Sequence, residues 1–310
     1  MKFYLLFLFL FLDITNSHVI HTSYAEWEMM KKIHVENAVA PNDIDLNKIT
    51  KETWEELVSM CPNIPNNPRI RVYFDYLLDG TTTLAYASQN LHLSSSGYWV
   101  STIYETMMQG RNTSLGTAYD MNIGFNPHPP NGWYIEKNCV NISGRFDLRT
   151  VLKHELLHGL IFAGSVRQVT NDSGLKEWVA GYTFNGKCYP RLYDTKITFQ
   201  DSTSIFLKNC ALRVDKFPQS DLYIGDVKLY HPYYYEAGSS ISHHNYPGHL
   251  MYASTTPMVC RNLGEYEGKV LAQLGIQCTI YNRTYKSSGT ITKSFAYIYF
   301  LTTINLIFLY

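Results

Sequence analysis

Neither sign of charge predominates in this chain: Lys plus Arg and Asp plus Glu each number 26 in 310 residues. Without a basic surplus there is no electrostatic footprint for a polyanion, so nucleic acid is not an expected partner. The six cysteines form no C-x-x-C pair, which argues against zinc ribbons and thioredoxin-like redox sites. No internal repeat or low-complexity block interrupts the sequence. No apolar run reaches the ~17–25 residues of a spanning helix. What is present is ample core material, 45% apolar and 15% aromatic residues.

The two longest apolar runs lie at the ends. Lys2 precedes an unbroken apolar stretch, 3–12, followed by a more polar 13–17 with small Thr15 and Ser17. That order is the one of a secretory signal peptide, 1–17, with mature protein beginning near His18. At the other end, small Ser287, Ser288 and Gly289 precede a short spacer, 290–294, and an apolar tail, 295–310. Small residues, spacer and tail follow the order of a GPI-attachment signal, with a tail-anchored helix as the rival. Either one predicts a cell-surface protein attached to the membrane through 287–310.

An even set of cysteines fits the same oxidising compartment. The pairs expected are Cys188–Cys210, Cys260–Cys278 and Cys61–Cys139. Alternatively, Cys61 stays a thiolate and caps a metal in a latent precursor. Glycan acceptors of the N-x-S/T form start at Asn112, Asn141, Asn171 and Asn282.

Along the chain, 24–35 and 53–60 read as short helices, the second with Thr53 and Glu56 spaced as a capping box. Together they make a pre-segment, 18–67, read either as a propeptide or as the outer layer of the domain. Alternating apolar residues predict a strand at 69–77 (Ile70, Val72, Phe74), and 117–125 is a second strand candidate. A helix is expected within 97–108, and a hairpin starting at Tyr134 and Ile135. The stretch 165–237 is rich in turn residues, which predicts a loop-rich insertion with short strands and not a separate domain.

Between these segments lies His154-Glu155-Leu156-Leu157-His158. Asp147 stands where an N-cap belongs, and Leu148, Val151, Leu152, Leu156 and Leu160 recur at helical spacing. At about 3.6 residues per turn, the two histidines project from one face. Two imidazoles on a rigid rod can hold zinc and leave coordination positions open, with Glu155 beside the first ligand as a general base. A third ligand is required, and two candidates compete. Glu177 lies at the spacing used by glutamate-type zincins. His243 lies in Gly238-Ser239-Ser240-Ile241-Ser242-His243, followed shortly by Leu250-Met251.

The second segment is similar to the one in leishmanolysin-like peptidases and in secreted bacterial metallopeptidases of that layout. There a long insertion follows the HExxH helix, a G-S-x-x-S-H segment supplies the third histidine, and Leu-Met forms a turn beneath the zinc. The match rests on Gly238, Ser239, Ser242, His243, Leu250 and Met251, with an amphipathic stretch at 263–276 where those proteins carry a closing helix. It departs at Ile161, where metzincins usually have Gly. His244, next to His243, is the ligand if the segment shifts by one.

The resemblance implies an α+β, zincin-like fold with a mixed sheet, an active-site helix, a long insertion, a methionine turn and a C-terminal helix, spanning 68–286. It also implies a zinc metalloendopeptidase acting on proteins or peptides, with His154, His158 and His243 on Zn2+, Glu155 as base and Met251 supporting the site without ligating. Tyr246 and Tyr252 are read as structural or, alternatively, as hydrogen-bond donors to a reacting substrate. The reading from another class is a surface adhesion protein on an inactive zincin scaffold.

Overall fold

The computed structural model describes residues 17–21, 26–31, 44–64, 70–76, 82–109, 119–140, 142–170, 173–208, 210–213, 220–280 and 298–299. Asn112, Asn141, Asn171 and Asn282 lie outside the described residues, as do 1–16 and all of 287–310 except 298–299. No helix among the described residues is long and apolar enough to cross a membrane.

The protein is α+β, with a mixed five-stranded sheet. The first seven strands are β1 (Ser17–His21), β2 (Glu26–Lys31), β3 (Val72–Tyr76), β4 (Ala85–Gln89), β5 (Leu91–Leu93), β6 (Trp99–Ser101) and β7 (Met121–Phe125). The sheet order is β1-β2-β3-β7-β4. β3 runs parallel to both β2 and β7, while β4 closes one edge antiparallel to β7. Val72 and Phe74 are buried, so the alternation read at 69–77 does face a core, whereas the central strand β7 is buried at every position. Of the segment expected to be helical, 24–35, the described residues Glu26–Lys31 form strand β2 instead. Its Glu, Met and Lys residues favour helix locally, but pairing with β1 and β3 overrides that weak preference.

Four α-helices lie among the described residues: α1 (Leu46–Ser59), α2 (Thr102–Gln109), α3 (Leu148–Leu160) and α4 (Glu265–Gln273). α1 starts earlier than the Thr53/Glu56 capping box suggested. Asp45 accepts the Lys48 N–H at 3.0 Å and caps the helix, while Thr53 lies inside it and donates to the Ile49 carbonyl. α2 is shorter than expected because 99–101 pairs as β6, and Ser101 Oγ then accepts the Tyr104 N–H at 3.0 Å. No hairpin starts at Tyr134: Trp133–Tyr134 pairs in parallel with Phe146–Asp147.

α3 begins as predicted. Asp147 accepts the Thr150 N–H at 3.0 Å, and the helix runs to Leu160. All 13 of its residues are buried, so it is a central helix and not a surface one. One side lies against β4 and β7. Gly159 permits that approach, because the Met121 thioether occupies the place where a Cβ would stand. The other side meets α1 through two ion pairs, Arg149–Glu52 at 2.6 Å and Lys153–Glu56 at 3.0 Å.

Helix α1, which lies between β2 and β3 in the chain, therefore shares the main core. Trp54, Leu57 and Val58 of α1 are buried in it. Trp54→Ala should cost about 3–5 kcal/mol, read as a lowered urea midpoint with unchanged slope. A loss below about 1 kcal/mol would mean that α1 is not part of the folding unit.

Three disulfides join Cys61 to Cys278, Cys139 to Cys260 and Cys188 to Cys210. Only Cys188–Cys210 matches the expected pairing. The other two cross-link parts distant in sequence, since packing brings the end of α1 beside the segment after α4. Cys61 is consumed in a bridge, which overturns its reading as a metal-capping thiolate. Closing a loop of 217 residues, that bridge constrains the unfolded chain by about 5 kcal/mol in the chain-entropy picture. Three disulfides suit an extracellular or secretory compartment.

The insertion after α3 is a succession of short antiparallel pairs, as its turn content suggested. It ends at Val227–Lys228, from which the chain returns to the central helix.

Candidate metal centre

α3 turns its two histidines toward the segment that follows the insertion. That segment is strapped to the end of the insertion by backbone bonds. The Tyr230 N–H donates to His243 O and the Ile241 N–H to Tyr230 O, both at 2.7 Å, and the Asn245 N–H donates to Lys228 O at 2.9 Å. Ile241 is held at φ 72°, a left-handed conformation that a β-branched residue takes only under constraint. Tyr193 Oη donates to its carbonyl at 3.1 Å. From there His243 reaches α3.

His154, His158 and His243 form a buried cluster that can hold a metal ion. Their Nε2 atoms stand 3.0 Å apart for His154–His158 and 3.1 Å for each of the other two pairs. The other ring nitrogen of each faces a carbonyl: His154 Nδ1 meets Leu250 O at 2.7 Å, His158 Nδ1 meets Phe162 O at 2.6 Å and His243 Nδ1 meets Ser239 O at 2.8 Å. A carbonyl only accepts, so each Nδ1 carries the proton and each Nε2 presents a lone pair. Three converging lone pairs cannot hydrogen-bond one another. They repel unless a cation lies among them, and tetrahedral zinc with ~2.0–2.1 Å bonds needs nitrogens about 3.3 Å apart. Small ring rotations cover the difference.

Burial is the leading cause of depressed basicity in all three rings. His154 is pushed well below its ordinary value, further by the neighbouring His158 and His243. His243 is likewise pushed well below, and His158 falls to about 4 despite the Phe162 carbonyl. All three rings are therefore neutral at pH 7. A folded-state pKa below the unfolded one gives stability that is whole above about 6.5 and is lost as pH falls toward 4. In the metal-stripped protein, His158 alone should remove about 2 kcal/mol between pH 7.5 and 5. Chemical denaturation at the two pH values measures it, and equal stabilities would contradict the assignment of buried neutral rings.

Glu155 is fully buried, and neither carboxylate oxygen has a hydrogen-bond partner among the described residues. Burial pushes its carboxyl well above the usual range. A cation on the adjoining histidines would bring it back toward the ionised form.

α3 stops without glycine at Ile161. Its φ of −166° is ordinary extended backbone, and the N–H groups of Ile161 and Phe162 both donate to Leu157 O, at 3.0 and 2.9 Å. The absence of Gly at this position therefore carries no conformational cost. Met251 is fully buried, and the preceding Leu250 carbonyl holds His154.

Several candidates are not brought to the cluster. Glu177 is exposed on the hairpin Arg167–Thr170/Lys176–Val179. His244 points to Glu267, at 2.7 Å, so the register is not shifted by one. Tyr246 stacks on Tyr266 with ring centroids 3.7 Å apart, and Tyr252 meets the Tyr230 ring edge-on, which favours structural roles for both.

Some supports of the site were invisible in the sequence. Gln89 on β4 donates to His158 O. Buried Asp194 accepts the Ser165 N–H at 2.9 Å and the Arg191 N–H at 3.1 Å, fixing the exit from α3. Arg261 donates to His249 O at 3.0 Å and Ser254 O at 2.9 Å around the turn that holds Met251. None has a spacing signal; each is defined by contacts across long sequence separations.

Compared with protein-family models, with curated proteins and with solved structures, the chain finds no significant match in any of the three.

Proposed function

We propose that this protein is a zinc metalloendopeptidase of the metzincin type, similar in layout to leishmanolysin-like peptidases, acting on proteins or peptides at the cell surface. The observation that carries the reading is a trihedral set of neutral imidazole nitrogens beside a buried carboxylate with no partner among the described residues. An all-nitrogen set of three, with no thiolate in it, suits zinc in an open catalytic site. When bound, the metal supplies Lewis acidity, polarising a scissile carbonyl and lowering the pKa of water toward ~7. Glu155 accepts the proton of the attacking water and returns it to the leaving amine. The Leu250, Phe162 and Ser239 carbonyls keep each ring in its ligating tautomer. Met251 supports the site from below through packing.

In this reading the helix α1 stays with the mature enzyme. Its ion pairs to α3, its buried Trp54 and the Cys61–Cys278 bridge argue that any activating cleavage falls before Asp45. Surface attachment through 287–310 remains part of the proposal.

The test is cleavage of a denatured protein by the full chain produced through a secretory pathway. Activity that a chelator abolishes and zinc restores is the expected result. Zinc bound one to one without cleavage of any substrate would leave a surface binding protein in place of an enzyme.

A further inference from the structure

Directly after the third histidine, His244 is fully buried and faces Glu267 of α4, also fully buried. The Glu267 carboxylate gathers three donors from separate segments. Oε1 accepts His244 Nε2–H at 2.7 Å and the Met251 N–H at 2.9 Å, and Oε2 accepts the Gly264 N–H at 2.9 Å. The His244 N–H donates in turn to Met251 O at 3.1 Å. The residue before Met251 supplies the carbonyl that orients His154, and the residue before His244 is His243. One carboxylate thus joins two metal-binding residues through their chain neighbours, one on each side. Packing alone would be served as well by apolar side chains, which avoid the desolvation of two polar groups.

We propose that His244 and Glu267 are a positioning pair, holding the His243 segment and the Leu250–Met251 turn at the separation that lets His243 and His154 share one metal ion. The proposal rests on the metallopeptidase reading only in that it requires a metal at the three histidines; it does not require turnover.

Metal affinity and spectrum test it in the full chain. Replacing both partners by apolar groups of similar shape, His244→Phe with Glu267→Leu, keeps the core filled. The dissociation constant for zinc, measured against a chelator, should weaken about 10–100-fold. The visible bands of the cobalt(II)-loaded protein should change as the ligand set loosens. Glu267→Gln retains an oxygen for both His244 and Met251, so it should restore affinity to within a few-fold of the parent. Asp120→Asn is the control. It disturbs bonds to Arg71 at 2.8 and 3.1 Å near the sheet, remote in sequence from the cluster, and should lower the melting temperature without moving affinity or spectrum.

If the double variant does not fold, His244→Asn, too short to reach Glu267, is read in its place. Parent-like affinity and spectrum in the variant that lacks the pair overturn the proposal. So does an equal loss in Asp120→Asn, which would reduce the pair to a general stabiliser. A parent chain that takes up no metal overturns this proposal and the metallopeptidase reading together, whereas metal uptake without peptidase activity overturns only the latter.

Discussion

Glu155→Gln should lower kcat/KM on a denatured protein substrate by about 10²–10⁴-fold while zinc content stays at the parent level. The reason is the isolation of the carboxylate. It lies in the core with no partner among the described residues, so it makes no visible contribution to holding the fold. An amide of the same shape fills the same space and cannot take a proton from water. Carboxyl and amide alike leave buried polar groups unsatisfied there, so the variant should be about as stable as the parent when metal is absent from both. Loss of turnover with retained metal and retained melting temperature separates a chemical role from a structural one. Peptidase activity equal to the parent in Glu155→Gln would remove the proposed mechanism.

His243→Ala should behave differently and lose both metal and activity. Structural zinc sites are worth ~10–16 kcal/mol in all, so one ligand of three or four corresponds to roughly 10²–10³-fold or more in affinity. Two histidines on one helix would remain, oriented by Leu250 and Phe162 but without the nitrogen that closes the triangle. Glu177→Ala is the companion measurement. Glu177 is exposed on a hairpin of the insertion, so its removal should leave zinc, activity and stability near the parent, within about 0.5 kcal/mol. Metal retained in His243→Ala and lost in Glu177→Ala would transfer the third position to the carboxylate.

The two experiments interrogate links of different kinds. Glu155 could be picked out from its place between two histidines, and the structure adds that it is buried with no partner among the described residues. His243 needed more than spacing. It stands 85 residues from His158 and 89 from His154, and only a resemblance between short segments favoured it over Glu177. In the folded chain the choice follows from geometry, because the return of the chain from Val227–Lys228 delivers His243 and not Glu177 to α3.

Local chemistry sufficed for the strands at Val72–Tyr76 and Met121–Phe125, for the Asp147 cap and for the helix carrying the paired histidines. In each, side-chain periodicity or a capping oxygen acts within a few residues and agrees with the packing around it. Local signals misled where a partner far away in sequence decided the outcome. β2 is a strand because β1 and β3 flank it, and α1 starts at an earlier cap than the Thr53 signal marked. Cys61 and Cys260 found distant partners because packing, not proximity along the chain, sets which thiols meet.

From the residues alone come the helix with its paired histidines, its adjoining carboxylate, the expected secretory address and the insertion that separates the two halves of the candidate site. Only the tertiary structure decided that three imidazole nitrogens converge with their protons turned outward, that Glu155 is buried beside them with no partner among the described residues, and that Glu267 ties the His243 segment to the turn beneath. The division has one physical cause. Turns of helix and strand are stabilised by neighbours along the chain, whereas a metal site and its supports are closed by contacts whose entropic cost is met only by the packed core of the whole domain.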